Sequence, residues 1–513
     1  MLPMRLHKWL KKSKKITEIP HSHSTNQPPP RKVNYKTFQE MFAFCEDVRI
    51  EPLMFKNYRG DEERVLFVYS PGLCNTELII ERIIPSIEKL FETTEYLNAI
   101  TVKQWKVSSL EPVEDTEQLC REVFHGKLVV FFETLKESYQ IDISNFPDRS
   151  PEEANTEVSV LGPRDGFIEN IGTNIALIRK RLPTNSLKYV KYVIGTRSKT
   201  KVGLLYVDDI TNKETLSQVK ERIENIDIDT LFSTNQMMEL LSAKRFQLFP
   251  TFEYTGRTDF VVDSLMRGRF IIFVDGAPTA LIGPANLFLL LKSAEDSEYS
   301  FVYTSFERIL RLFGLSVAVF LPGFWIALVT FHQDQIPVML LATLVTSRMG
   351  VPLPSPLEAL VMLGLFELFR EAGARLPLAI GQTLTVVGGL IIGDAAIRAG
   401  LTAPGMVVVL ATSLVATFTL INQSLIGVLS ILRIAVVIVS SFLGMFGFIV
   451  SAFLVLLYVA NLRTFGVPYL APLFPISSVK DLLDSVLRPS WKTLKQRPSL
   501  LDPIDRTRQT SEE

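Results

Sequence analysis

The chain has 513 residues, enough for more than one domain, and its 54 lysines and arginines are matched by 54 aspartates and glutamates. A net charge of zero gives no electrostatic footprint for nucleic acid as a partner, and a positive mean hydropathy is unusual for a soluble protein. The apolar residues are unevenly spread: residues 1–300 read as an ordinary globular sequence, whereas no lysine occurs between Leu312 and Leu462. A soluble region followed by a membrane region is the predicted organisation.

Residues 1–33 form a basic tail read as a disordered arm. A basic amphipathic helix on an anionic membrane is the alternative, with Leu2, Leu6, Trp9 and Leu10 on one face. The start lacks the apolar core of a signal peptide, so the soluble region is expected to stay in the cytoplasm. Cys45, Cys74 and Cys120 show no C-x-x-C spacing and read as free thiols in a reducing compartment.

Residues 34–150 suggest a first cytoplasmic α/β subdomain. Val65–Tyr69, Lys127–Phe132 and Tyr139–Ile143 read as strands, and Asn75 or Thr76 can cap a helix over 77–91. The polar, proline-bearing run 147–157 marks a boundary. Residues 151–300 suggest a second α/β subdomain. After Gly162-Pro163, Asp165 is expected to cap a helix whose apolar stripe is Ile168, Ile171, Ile175, Ile178 and Leu182. Arg179, Lys180 and Arg181 complement its C-terminal dipole and read as a solvated face. Tyr189–Ile194, Val202–Val207 and Arg269–Val274 read as strands, residues 213–223 as a helix, and Ala280–Leu291 as a buried or interfacial connection. No internal repeat is evident.

The membrane region is placed at 301–465, with spans at about 312–331, 376–393, 404–421 and 434–460. Arg308 and Arg311 orient the first span, and four spans return a basic tail, 466–513, to the cytoplasm. The intervening 338–369 reads as a re-entrant pair or as one broken span; the basic tail favours the re-entrant form.

Within the apolar region, residues 351–377 combine Pro352, Pro354 and Pro356 with Glu358, Glu367, Arg370, Glu371 and Arg375. Ionisable side chains kept in a membrane segment are a functional-site hypothesis. Ser355, Pro356 and Glu358 fit a capping box, in which the carboxylate reaches back to the Ser355 backbone N–H. Glu358 and Glu367 are offset by about 180° around a helix and cannot share one face. Glu367 and Arg370 can pair, as can Asp394 and Arg398; Glu371 and Arg375 have pairing spacing, but Gly373 is expected to interrupt the helix. Arg433 reads as a boundary between spans. Gly381, Gly388, Gly389 and Gly393 permit close helix contact, within the chain or between copies. No phosphate-cradling loop, H-E-x-x-H or Cys/His zinc pattern occurs, so no enzyme, cofactor or metal site is expected.

Four stretches, GPRDGFIENIGTNIALIRKRL, VDGAPTALIGP, PSPLEALVMLGLFELFREAGARLP and GQTLTVVGGLIIGDAAIRAGL, resemble the GerA-type spore germination proteins, the A subunits of nutrient germinant receptors. The resemblance runs from roughly residue 35 to 480. It implies a multi-pass protein of the inner spore membrane whose N-terminal region and tail are cytoplasmic. It also implies a transporter-like B subunit and a lipoprotein C subunit as partners, with the A subunit oligomerising into a nutrient-gated monovalent ion channel. Glu367, Arg370, Glu371, Arg375, Gly388, Gly389 and Asp394 are then the places to look for gate and pore. A germination-amplifying paralogue encoded with SpoVA channel proteins, or a secondary transporter, are the alternative functions.

Overall fold

The computed structural model describes residues 35–94, 111–113, 116–145, 161–242, 247–375, 393–474 and 479–508. The basic arm, the boundary at 147–157, Gly381, Gly388 and Gly389 lie outside them. The first sheet is built from β1 (Arg49–Lys56), β2 (Glu62–Tyr69), β3 (Glu111–Val113), β4 (Lys127–Phe132) and β5 (Glu137–Asp142), in the order β1-β2-β4-β5-β3. Every neighbouring pair is antiparallel, with Val65 opposite Phe132 and Lys127 opposite Asp142. Alternation assigns the faces. Val65, Phe67, Val130 and Phe132 pack with Ile87 and Phe91 of α2 (Ile84–Thr93), while Leu66, Val68, Val129 and Phe131 face α1 (Tyr35–Met41) and α3 (Thr116–Phe124). A π-helical turn, Ile79–Ile83, feeds α2, and Asn75 caps the preceding turn by accepting from Glu77 N.

The second sheet repeats this plan. Strands β6 (Leu187–Ile194), β7 (Thr200–Val207), β8 (Glu253–Thr255), β9 (Phe270–Val274) and β10 (Ala280–Gly283) run in the order β6-β7-β9-β10-β8, again antiparallel throughout. One face packs on α4 (Ile171–Arg181) and α7 (Thr258–Met266), the other on α5 (Lys213–Glu224) and α6 (Thr234–Leu241). Strand order and helix layering are therefore the same in both halves, a repeat that the sequence hides. The Ala280–Leu291 connection is buried, as expected, and contains β10 and a short helix.

Two expectations for α4 are corrected. Its cap is Asn170, which accepts from Gly172 N and Thr173 N, while Asp165 pairs with Arg181 at 2.6 Å. Arg179 is not on a solvated face. It is 1% exposed, holds Asp47 of the first half through Nε at 2.7 Å and Nη2 at 3.0 Å, donates to the Thr184 carbonyl at 2.8 Å, and lies 4.0 Å over the Phe124 ring. Beside it, the Tyr189 N–H donates to Phe44 O and Glu46 N–H donates to Tyr189 O, so residues 44–46 cover the edge of β6.

The C-terminal part is helical: α8 (Phe301–Phe331), α9 (Val338–Ser347), α10 (Ser355–Arg375), α11 (Pro404–Thr417) and α12 (Gln423–Ala460), followed by α13 (Val479–Val486). Helix α8 packs against α12, α11 and α10. Two corrections concern length. Helix α10 continues through Gly373 to Arg375, about 32 Å at the helical rise, so the interruption expected at Gly373 is absent. Helix α12 is two legs: Gly444 has φ 61° and ψ −140°, outside helical geometry. The legs fold back on each other. A Cβ at Gly447 would lie 2.6 Å from Val439 O, and Phe448 packs on Phe320 and Phe324 beside Gly323, which meets Ser440 of the first leg. Asn422 and Tyr458, at opposite ends, both bond to the 248–253 segment that leads into β8. The predicted span at 434–460 thus contains a hairpin tip, and the leg 423–443 alone measures about 32 Å. Helix α11, at 14 residues, is shorter than the span expected there.

Candidate functional site

Helices α8, α10, α11 and the first leg of α12 meet at a cluster of charges and hydroxyls. Glu367 and Arg370 stand on one face of α10 at i,i+3, and their side chains meet at 2.6 Å. Ser430 and Arg433 have the same spacing on α12. Ser430 Oγ accepts from Arg370 Nη1 at 2.6 Å and from Arg433 Nη2 at 3.2 Å. Arg433 Nη1 donates to Ser413 Oγ of α11 at 3.4 Å, and Ser413 in turn donates to the Ala318 carbonyl of α8 at 2.8 Å. Arg433 is fully buried, 3.7 Å from Glu367 Oε1.

The balance of this cluster is unusual. Two guanidiniums share one carboxylate, and neither Arg433 Nε nor Glu367 Oε1 has a hydrogen-bond partner among the described residues. Removing a charge from water without full pairing costs several kcal/mol, on the order of 3–5 when a buried pair is broken. The site is therefore held by the helix packing around it: Ala359, Met362 and Leu363 of α10 lie with Met406, Leu410 and Val437 in one apolar cluster.

The sequence pairing of Glu367 with Arg370 is present. Arg433 corrects the boundary expectation, because it lies inside a helix and completes the site. Glu371 is exposed on α10; Arg375 closes the helix. Asp394 and Arg398 pair at 2.9 Å but are 55% and 79% exposed, so this pair contributes little. Gly393 meets only ordinary contact from Val407. The residues that sequence reasoning missed are Ser413, Ser430 and Arg433; the signal was a second buried cation, with a serine three residues before it, needing partners.

Glu358 serves a distant helix rather than its own start. Its Oε1 accepts from Ala403 N at 2.6 Å and Thr402 Oγ1 at 2.8 Å, at the N-terminus of α11. Arg348 approaches to 3.6 Å. A carboxylate on unpaired N–H groups at a helix start is favourable. This replaces the expected return to the Ser355 N–H, while Ser355 and Pro356 open α10.

At the other end of α8, cations join it to the α/β region and the tail. Arg308 bonds Asp296 at 2.8 Å and the carbonyls of Asp484 and Leu487, and Arg311 reaches Asp296 at 2.9 Å. Arg267 links Asp263 at 2.7 Å to Asp484 at 3.0 Å. Arg488 donates to Ser297 O and Tyr299 O, and Arg497 to Met266 O. The basic tail is thus docked on α7 and α8, not left as a free positive segment. Lys292 borders a water-sized cavity among these groups. Burial, with Arg267 beside it, pulls its ammonium down to about 7. Burial alone would raise Asp484, but Lys292 and Arg267 outweigh it and bring the carboxyl down to about 2.

Residues 36–500 match the family described as Bacillus/Clostridium GerA spore germination protein. The chain is 46% identical to spore germination protein XA of Bacillus anthracis over 93% of its own length and 97% of that protein. It is 32% identical to spore germination protein KA of Bacillus subtilis over 88% of its length and 83% of that protein. Among solved structures, the N-terminal domain of the A subunit of the Bacillus megaterium germinant receptor GerK3 aligns at 24% identity. That alignment has a TM-score of 0.38 and covers 49% of this chain and 92% of that one. With a family match from residue 36 to 500 and 97% of the Bacillus anthracis relative covered, the chain belongs to the GerA spore germination protein family.

Proposed function

We propose that the chain is a membrane subunit of a nutrient germinant receptor, and that several copies assemble around their helical regions into a ligand-gated path for monovalent ions. Membership of the GerA family over 36–500 supports the germination role. One observation carries the ion-conducting part: the Glu367–Arg370–Arg433 cluster, held between apolar helices with unsatisfied polar atoms. Charges retained at such a position, with no structural ion-pair balance, are what a gate requires and an anchor does not.

In this reading α8 and both long legs around Gly444 lie in the inner spore membrane, with the two sheets and the tail together on the cytoplasmic side. Phe301–Phe331 is long and apolar enough for this, and Gln423–Ala460 would enter as two legs folded back at Gly444. A transporter-like B subunit and a lipoprotein C subunit complete the receptor. Spores lacking the chain are expected to lose the response to at least one nutrient in a panel while still germinating by nutrient-independent triggers. A deletion strain that responds to every nutrient as its parent does, with no second gene of this family present, contradicts the proposal.

A further inference from the structure

We infer that Glu367 is the moving part of a two-position latch between α10 and α12; this rests on the germination reading above. In the structure its Oε2 is held by Arg370 at 2.6 Å, a contact within α10. Its Oε1 has no hydrogen-bond partner among the described residues and lies 3.7 Å from Arg433 Nη2. Arg433 Nε is likewise without a partner among the described residues, on the same edge of the guanidinium as Nη2. That edge is the one that binds a carboxylate bidentately, as Arg179 does with Asp47 through Nε and Nη2. An acceptor without a partner therefore faces an edge whose Nε is also without one and whose Nη2 holds only Ser430 Oγ, at 3.2 Å.

The two positions tie the helices differently. As observed, α10 is joined to α12 through Arg370 Nη1 and Ser430 Oγ. In the alternative, Glu367 pairs bidentately with Arg433, and Arg370, already 34% exposed, turns outward. Residues three apart on a helix differ by about 60° in direction, so a small rotation of α10 exchanges one tie for the other. In the second position both orphaned atoms are satisfied, and in the first Arg370 is, so each position leaves one cation underpaired. The chemistry requires no proton transfer and no ligand at the site.

The test uses spores carrying full-length variants, with chain content of the spore membrane measured alongside. Arg370→Gln leaves Glu367 only Arg433, and Arg433→Gln leaves it only Arg370. The latch requires opposite effects: one variant lowers and the other raises the nutrient concentration for half-maximal germination, each by about fivefold or more. Adding Glu367→Gln to either removes the opposition. Same-direction losses from both single variants at normal chain content, or losses that follow chain content alone, overturn the latch. If Arg433→Gln is not retained in the membrane, Arg433→Lys, which keeps the charge but not the bidentate edge, takes its place. Loss of the whole germination reading would look different, since deletion of the chain would then change no nutrient response.

Discussion

Replacing Arg179 by Met would strand Asp47, lose the tie to the Thr184 carbonyl and uncover the Phe124 ring. The expected cost is about 3–5 kcal/mol, as for breaking a buried ion pair from one side. It is read by denaturant unfolding of the full chain in detergent; a change under 1 kcal/mol would mean that the two halves are held by other contacts. Glu358→Ala is expected to cost about 1–3 kcal/mol, because it orphans Ala403 N and Thr402 Oγ1 at a buried helix start. Neither role could be read locally. The run Ile178-Arg179-Lys180-Arg181 has the composition of a solvated helix end. Arg179 becomes a core residue only because residues 44–47, more than a hundred positions earlier, dock on it. Glu358 likewise fits a local capping box, and only folding brings Ala403 into competition. Arg433 looks like a span boundary because an arginine in an apolar run normally marks one.

Elements were legible wherever a single physical signal dominated. Strands β4, β7 and β9 contain the unbroken apolar runs Leu128–Phe132, Val202–Val207 and Phe270–Val274, and α5 has clear periodicity. Strand β1 was missed because its residues are largely solvent-facing, and β8 because it has three residues. The hairpin in α12 escaped because 434–460 is apolar on both sides of Gly444, so hydropathy cannot place a tip. Close approach gives a sharp contrast among helix glycines. A Cβ at Gly323 would lie 2.7 Å from Val436 Cγ1 and 3.0 Å from Ser440 Oγ. At Gly444 it would meet Phe331 at 2.9 Å, with φ at 61°. Gly323→Ala is expected to lose about 1–3 kcal/mol by overpacking, and Gly444→Ala at least as much, since φ 61° with ψ −140° is a conformation nearly confined to glycine and adds about 1–3 kcal/mol. Gly364 in α10 meets nothing within 4 Å among the described residues, so Gly364→Ala should be neutral or stabilising by about 0.5–1 kcal/mol. Thermal unfolding of the three variants in one detergent orders them; equal losses would contradict the packing described.

At the scale of the whole molecule, the second sheet, α8 and the tail form one continuous unit. Asn422 donates to both oxygens of Glu253, and Ile504 N and Asp505 N bond back to Ile210 and Asp209. The junction should respond to pH in two windows. The Lys292 ammonium falls from 10.5 to about 7 on closing, so an opened junction binds that proton more tightly. Stability therefore rises with pH between about 7 and the ordinary lysine range, and the penalty is constant below. Asp484 falls from 3.8 to about 2, so its contribution is present at neutral pH and is lost as pH drops through that interval. Lys292→Met should flatten the upper window, judged by unfolding from pH 7 upward; an unchanged profile would remove Lys292 from the junction's energetics. The repeated strand order of the two sheets was invisible in sequence because topology, not residue identity, is what the halves share. The most direct measurement of the central proposal is monovalent-ion release from nutrient-exposed spores carrying Glu367→Gln, at chain content matched to the parent. Release slowed by about fivefold or more is the expected result; release at the parental rate would contradict a role for the buried charge cluster in conduction or gating.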